Sequence, residues 1–153
     1  MDTVYLCGQI TEASYNEARY GWRADVVHAC EDLPIRFLSP MRGKDHLEGV
    51  RTLSPMGDPD HALSTPMAIT TRDRLDVIRS TLIFANLLGM THQSIGCPIE
   101  FGWADAYRKP IICCIEPEGN IHEHAMLSTL IGWRCETLES GIAVLRAVLS
   151  EGL

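Results

Sequence analysis

Short β-prone runs recur along the chain: Val4-Tyr5-Leu6-Cys7, Ile35-Arg36-Phe37-Leu38, Leu82-Ile83-Phe84-Ala85-Asn86 and Ile111 to Ile115. They run nearly unbroken in apolar residues rather than alternating, as strands covered on both faces do. Segments of helical spacing lie between them. From Tyr15 to Cys30, Ala18, Trp22, Val26 and Ala29 recur on one face, with Arg19, Arg23 and Asp25 between, which predicts one crossover helix. Strand alternating with helix means a parallel sheet joined by right-handed crossovers.

Further along, Thr70 or Thr71 is placed to cap a helix whose apolar face is Leu75, Ile78 and Leu82, with Asp73 in its first turn. A short helix is expected over Ala125, Leu127, Leu130 and Ile131, and a last strand around Trp133 to Cys135. Thr137 then caps an amphipathic helix with Leu138, Ile142, Leu145, Val148 and Leu149 inward. The expected fold is α/β: residues 1–153 as a single-domain, doubly wound, flavodoxin-like or Rossmann-like parallel sheet of about five strands flanked by helices. Ser39 to Pro66 has no sustained period and is punctuated by Pro40, Gly43, Gly49, Pro55, Gly57 and Pro59. Loops of that length are either functional lids or disordered. Met41, Leu47, Val50, Leu53 and Met56 give this one something to bury, which favours a substrate-covering lid.

The formal net charge of −7 argues against a nucleic-acid polymer or an anionic membrane as partner, since either would want a basic face. The amino end shows no charged-then-apolar leader, and no apolar run approaches the roughly 18 residues of a membrane span. A soluble, cytoplasmic protein is expected. The cysteines, Cys7, Cys30, Cys97, Cys113, Cys114 and Cys135, form no C-x-x-C pair, and the histidines, His28, His46, His61, His92, His122 and His124, form no H-E-x-x-H pattern. Free buried thiols, no resident metal and no cofactor are therefore expected.

Chemistry is expected in the stretch from Ser94 to Ala106, between the Leu82 to Asn86 strand and the strand starting at Ile111. In an open parallel sheet, ligands bind where a loop leaves the carboxyl end of a strand and enters a helix. Gly96 suits a tight turn, Pro98 a first helical turn, and Glu100 falls on the opening turn. Backbone N–H groups there favour an anionic or hydroxyl-rich ligand. A carboxylate at a helix start is also what the helix dipole prefers, so spacing leaves both roles open for Glu100.

Tyr5-Leu6-Cys7-Gly8, Arg72-Asp73-Arg74-Leu75, Ser94-x-Gly96-x-x-x-Glu100-x-Gly102-x-Ala104 and Lys109-Pro110, in that order, resemble the nucleoside 2-deoxyribosyltransferase family, which includes the related 2'-deoxynucleoside 5'-monophosphate N-glycosidases. The resemblance runs from Tyr5 to about Ile142 and leaves out Ser39 to Pro66. It implies that Glu100 is the nucleophile attacking the anomeric carbon of a deoxyribosyl group, as in retaining glycosidases, and that Tyr5 positions it. It implies that Asp73, if protonated, passes a proton to the leaving base. Each also has a plain structural role: Tyr5 as a core aromatic, Asp73 as a partner of the helix dipole. Gly8 and Asn86 at strand ends, Gln9, Arg19, Ser94, Gly96 and His124 are the candidate substrate-binding residues. Arg19 and Arg23 either reach a phosphate or remain solvated. The stretch His124-Ala125-Met126 resembles one that a neighbouring subunit inserts at the sugar's 5' end, implying a homodimer or higher homo-oligomer.

Two positions depart from the family. The transferases proper carry an aspartate six residues before the glutamate, where this chain has Ser94, as the monophosphate hydrolases do. Those hydrolases carry a serine shortly after the first strand's glycine, where this chain has Gln9. The implied activity is N-glycosidic cleavage of 2'-deoxynucleosides or their 5'-monophosphates, with hydrolysis or transfer to another base. A non-catalytic nucleotide-sensing module on the same fold is the alternative. A flavodoxin-like redox protein would need a phosphate-binding loop that Gly8 to Ala13 does not provide.

Overall fold

The computed structural model describes residues 1–152. Its elements are β1 (Asp2–Gly8), α1 (Tyr15–Tyr20), α2 (Trp22–Ala29), β2 (Ile35–Leu38), α3 (Pro66–Arg79), β3 (Leu82–Asn86), α4 (Gly96–Ala106), β4 (Ile111–Cys114), α5 (Ala125–Ser128), β5 (Trp133–Cys135) and α6 (Leu138–Glu151). Five parallel strands form one sheet in the order β2-β1-β3-β4-β5. This is the expected Rossmann-like architecture.

Side chains of a strand point alternately to its two faces, and the two apolar cores follow that alternation. Tyr5, Cys7, Ile83, Ala85, Ile111 and Cys113 pack beneath Val77 of α3 and Cys97, Phe101 and Ala104 of α4. Val4, Leu6, Leu82, Phe84, Ile112 and Cys114 pack against Val26 of α2 and Leu145 of α6. Both faces are covered, which is why the strands read as unbroken apolar runs. The chain moves from β1 outward to β2, then returns to β3 on the other side of β1, so the order reverses between β1 and β3. Gly8 pairs with Asn86 at the carboxyl ends of these two strands, where such a reversal opens a crevice.

Several expectations need correction. The helix predicted from Tyr15 to Cys30 is two helices. Gly21 leaves helical geometry (ψ −135°), and a Cβ there would lie 2.6 Å from the Glu17 carbonyl oxygen. Ser14 and Glu17 form a capping box on α1, a start signal the apolar period does not report. α3 begins a turn earlier than predicted, with Thr65 accepting from the Ala68 N–H and Pro66 in the first turn. Asp73 therefore lies mid-helix. The buried residues of α3 are Asp73, Asp76 and Val77, while Leu75 is 53% exposed. The buried Asp76 carboxylate is held by Arg42 and Arg79, as a buried charge requires.

The segment from Ser39 to Thr65 has one 3-10 turn, Asp45–Leu47, and a small core of its own, Met41 and Leu53 against Tyr15 and Ala18. Val50 and Met56, expected inside, stay 37% and 65% exposed. All six cysteines are free and buried. No helix among the described residues is long and apolar enough to cross a membrane.

Candidate active site

β1 turns Tyr5 toward α4, and α4 turns Glu100 back toward the sheet. The Tyr5 hydroxyl donates to Glu100 Oε1 at 2.8 Å, a buried bond between residues 95 apart in sequence. Glu100 is the fifth residue of α4 rather than a first-turn residue, so helix-start electrostatics do not account for it. It is only 9% exposed. Burial, then the negative charge of Cys97 and Asp73, pushes its carboxyl well above the usual range, while hydrogen bonds from Cys7 and Tyr5 pull the other way. Burial, then the Glu100 charge, raises the Tyr5 hydroxyl as well. Tyr5 thus stays protonated and serves as a donor at neutral pH.

Asp73 is 8% exposed and close enough that its charge raises both Tyr5 and Glu100. Burial lifts its carboxyl to about 6, against the opposing pull of the Lys44, Arg72 and Arg42 cations. The Asp76 carboxylate adds to that rise, and the result is a buried carboxyl group that holds and releases a proton near neutral pH.

Lys44 carries no sequence signal, yet it is 4% exposed and within electrostatic reach of both Asp73 and Glu100. It lines a hollow of about 290 Å³ with Ile10, Met41, Leu53, Ser64 and Ile69. The segment predicted as a lid therefore supplies a buried cation within electrostatic reach of the two carboxyl groups.

The other predicted residues have defined partners. Gly8 has no room for a side chain, since a Cβ would lie 2.7 Å from the Trp22 ring and 2.9 Å from the Asn86 carbonyl oxygen. Asn86 Oδ1 accepts from the Leu88 N–H at 3.1 Å. The Gln9 side chain donates to the Thr11 carbonyl. Arg19 donates to the Met41 carbonyl at 2.6 Å and pairs with Asp45, tying α1 to the segment after β2. Arg23 is not solvated: it is 1% exposed, and its guanidinium donates to the carbonyls of Leu6, Gly8, Gln9 and Ala18. Its donors are thus committed to backbone at the end of β1.

At the entry to α4, Ser94 Oγ accepts from the Cys97 N–H at 3.2 Å. Gly96 opens the helix without needing to be glycine, as a Cβ there would meet nothing closer than Ser94 Oγ at 3.8 Å. The Ser94 N–H donates to Nε2 of His122 at 2.8 Å, another residue sequence reading missed. His122 Nδ1 lies 3.2 Å from Asn120 Oδ1, and Asn120 donates to the Leu87 carbonyl and to Glu116. These partners assign the proton to Nδ1 of a neutral imidazole, and burial lowers its pKa accordingly. His124 caps α5, accepting from the Met126 N–H. It borders a groove of about 710 Å³ along the outer side of α4, with Ile95, Ile99, Gly102 and Met126, and Glu100 is not among its walls.

One cluster could hold a metal: ligand atoms of Cys7, Cys97 and Glu100 lie within 4.8 Å of one another.

The same fold occurs in solved structures, among them the following three. The CMP N-glycosidase BcmB of Clostridium botulinum is 17% identical over 95% of this chain and 99% of its own, with a TM-score of 0.57. BlsM is 18% identical over 97% and 92%, with a TM-score of 0.66. A 2-desoxiribosyltransferase from Leishmania mexicana is 14% identical over 100% of both chains, with a TM-score of 0.62. At these identities the likeness speaks for the fold. No curated protein matches the sequence significantly. The model of the nucleoside 2-deoxyribosyltransferase family, however, matches residues 4–144, which takes in β1 from Val4, the other four strands whole and both sides of the crevice. The chain belongs to that family, whose general chemistry is cleavage or transfer at the N-glycosidic bond of nucleosides.

Proposed function

We propose that this protein cleaves the N-glycosidic bond of 2'-deoxynucleoside 5'-monophosphates through a covalent deoxyribosyl intermediate on Glu100. The observation that carries the reading is the buried Tyr5–Glu100 hydrogen bond at the β1/β3 crevice, with Asp73 within electrostatic reach of both. The C1'–N bond breaks with its electron pair leaving on the base, Asp73 gives that nitrogen its proton, and a Glu100 oxygen bonds to C1'. Burial disfavours the Glu100 carboxylate. The donors Tyr5 and Cys7 oppose that, and the positive charge developing at C1' favours the anion most strongly in the transition state. Water, giving a proton to Asp73, or a second base then takes the sugar and frees Glu100.

The 5'-phosphate reading is supported by Ser94. An aspartate there would repel phosphate, whereas this hydroxyl accepts from the Cys97 N–H and can still donate to a phosphate oxygen. The working form is a homo-oligomer with an isologous contact. Its support is the groove beside α4, where Ile95 and Met126 stand 79% and 76% exposed beside His124.

The test is a panel of nucleosides and 5'-monophosphates, with and without a second free base, resolved by product. The expected result is a higher kcat/KM for deoxynucleoside monophosphates, narrowed or reversed in Ser94→Asp. Removing a like charge from a partly buried site is worth about 1–3 kcal/mol, or roughly fivefold to 150-fold. A wild-type ratio of monophosphate to nucleoside at or below one overturns the phosphate reading. Tight binding without turnover across the panel would instead favour a sensing module.

A further inference from the structure

We infer that Cys7, Cys97 and Glu100 form a binding site for a thiophilic divalent cation, Zn²⁺ or its surrogate Cd²⁺, and that occupation of this site silences the protein. Cys7 lies near the carboxyl end of β1 and Cys97 is the second residue of α4. Separated by 90 positions, they leave no linear motif, but folding brings both sulfurs and a Glu100 oxygen within 4.8 Å of one another. Two thiols and a carboxylate are a donor set suited to zinc.

The distances suit it too. Zinc bonds of about 2.3 Å to sulfur and about 2.0–2.2 Å to oxygen place tetrahedral ligand atoms roughly 3.4–3.7 Å apart. With every pair of these atoms already inside 4.8 Å, the closing needed is at most about 1.4 Å, within reach of side-chain rotation. The fourth position is left to water. All three groups are nearly enclosed, Cys7 at 0%, Cys97 at 2% and Glu100 at 9% exposure, which limits competition from solvent.

Binding must release protons, because the metal takes thiolates. Once Glu100 coordinates the cation, the oxygen lone pair that would attack C1' is engaged in the metal bond. This inhibitory consequence rests on the proposed role of Glu100; the binding itself does not.

Equilibrium dialysis of the full chain against Zn²⁺, with the proton release measured, tests binding without reference to turnover. One ion per chain is expected, with loss of affinity by tenfold or more in each of Cys7→Ala and Cys97→Ala, since even outer-shell changes cost about 10–100-fold. Cys30→Ala, on the opposite face of the sheet, should bind like the wild type. X-ray absorption at the zinc edge of the wild-type complex gives a second readout that needs no variant: two sulfurs at about 2.3 Å and oxygen for the rest. Cleavage of the substrates above should fall with zinc occupancy and return on chelation. A nitrogen- and oxygen-only shell, or affinity unchanged in both alanine variants, overturns the site. Failure of the glycosidase reading would show in the metal-free substrate panel and leave the dialysis result untouched.

Discussion

A carboxyl group enclosed by the protein resists ionisation, and this chain buries two within electrostatic reach of each other. Glu100→Gln should keep the shape, lose the anion and reduce turnover by several orders of magnitude while the fold melts no lower. Product analysis at wild-type rate would remove Glu100 as nucleophile. Asp73 makes a sharper prediction because its protonation carries a definite sign. Its folded value of about 6 lies above the unfolded 3.8, so the proton it holds stabilises the fold fully below the unfolded value, and that stability is lost as pH rises through 6. Ionised Asp73 at neutral pH thus costs up to about 3 kcal/mol, an order-of-magnitude figure. Asp73→Asn should raise the melting temperature at pH 7, lose that advantage at pH 4, and lower kcat by about 10²–10⁴-fold as the proton donor is lost. A lowered melting temperature at pH 7 would contradict the assignment.

At the scale of elements, what matters is how α4 is entered. The loop after β3 is anchored from the segment after β4: Glu116 accepts from the Gly89 N–H, Asn120 reaches the Leu87 carbonyl, and His122 accepts from the Ser94 N–H. His122→Ala should leave that N–H without its acceptor, at a cost of about 1 kcal/mol. Hydrogen exchange at Ser94 should accelerate, and KM for a 5'-monophosphate should rise more than kcat falls. Unchanged exchange would show that His122 does not hold the loop. The sign with pH is opposite to that of Asp73. The folded imidazole is depressed below the ordinary 6.5, so its stabilisation is present above that value and lost as pH falls through the folded one.

For the whole molecule, the decisive question is whether one chain completes its own site. The exposed apolar residues beside the α4 groove, Ile95, Ile99 and Met126, stand 79%, 46% and 76% exposed, which is costly for an isolated chain in water. Light scattering at assay concentration should report a dimer or a multiple of it. Met126→Asp should shift the population toward monomer and reduce activity in proportion. An active wild-type monomer would refute the shared site.

The sequence by itself determined the sheet, because continuous apolar runs must be covered on both faces and because helical period between them leaves a parallel arrangement as the outcome. It also pointed to Tyr5, Asp73 and Glu100 as candidates, through an ordered set of short motifs, and the fold sets the Tyr5 hydroxyl on Glu100. Local signals misled where a backbone or a salt bridge outweighed periodicity: Gly21 split a helix that Ala18, Trp22 and Val26 predicted as one, and Arg42 and Arg79 allowed α3 to turn Asp76 inward and Leu75 outward. Only the tertiary structure decided the surroundings of Glu100. Cys7, Lys44, Cys97 and His122 act through partners distant along the chain. Their burial and charge depend on which surfaces the crossovers bring together, and no periodicity or spacing in the sequence encodes that directly.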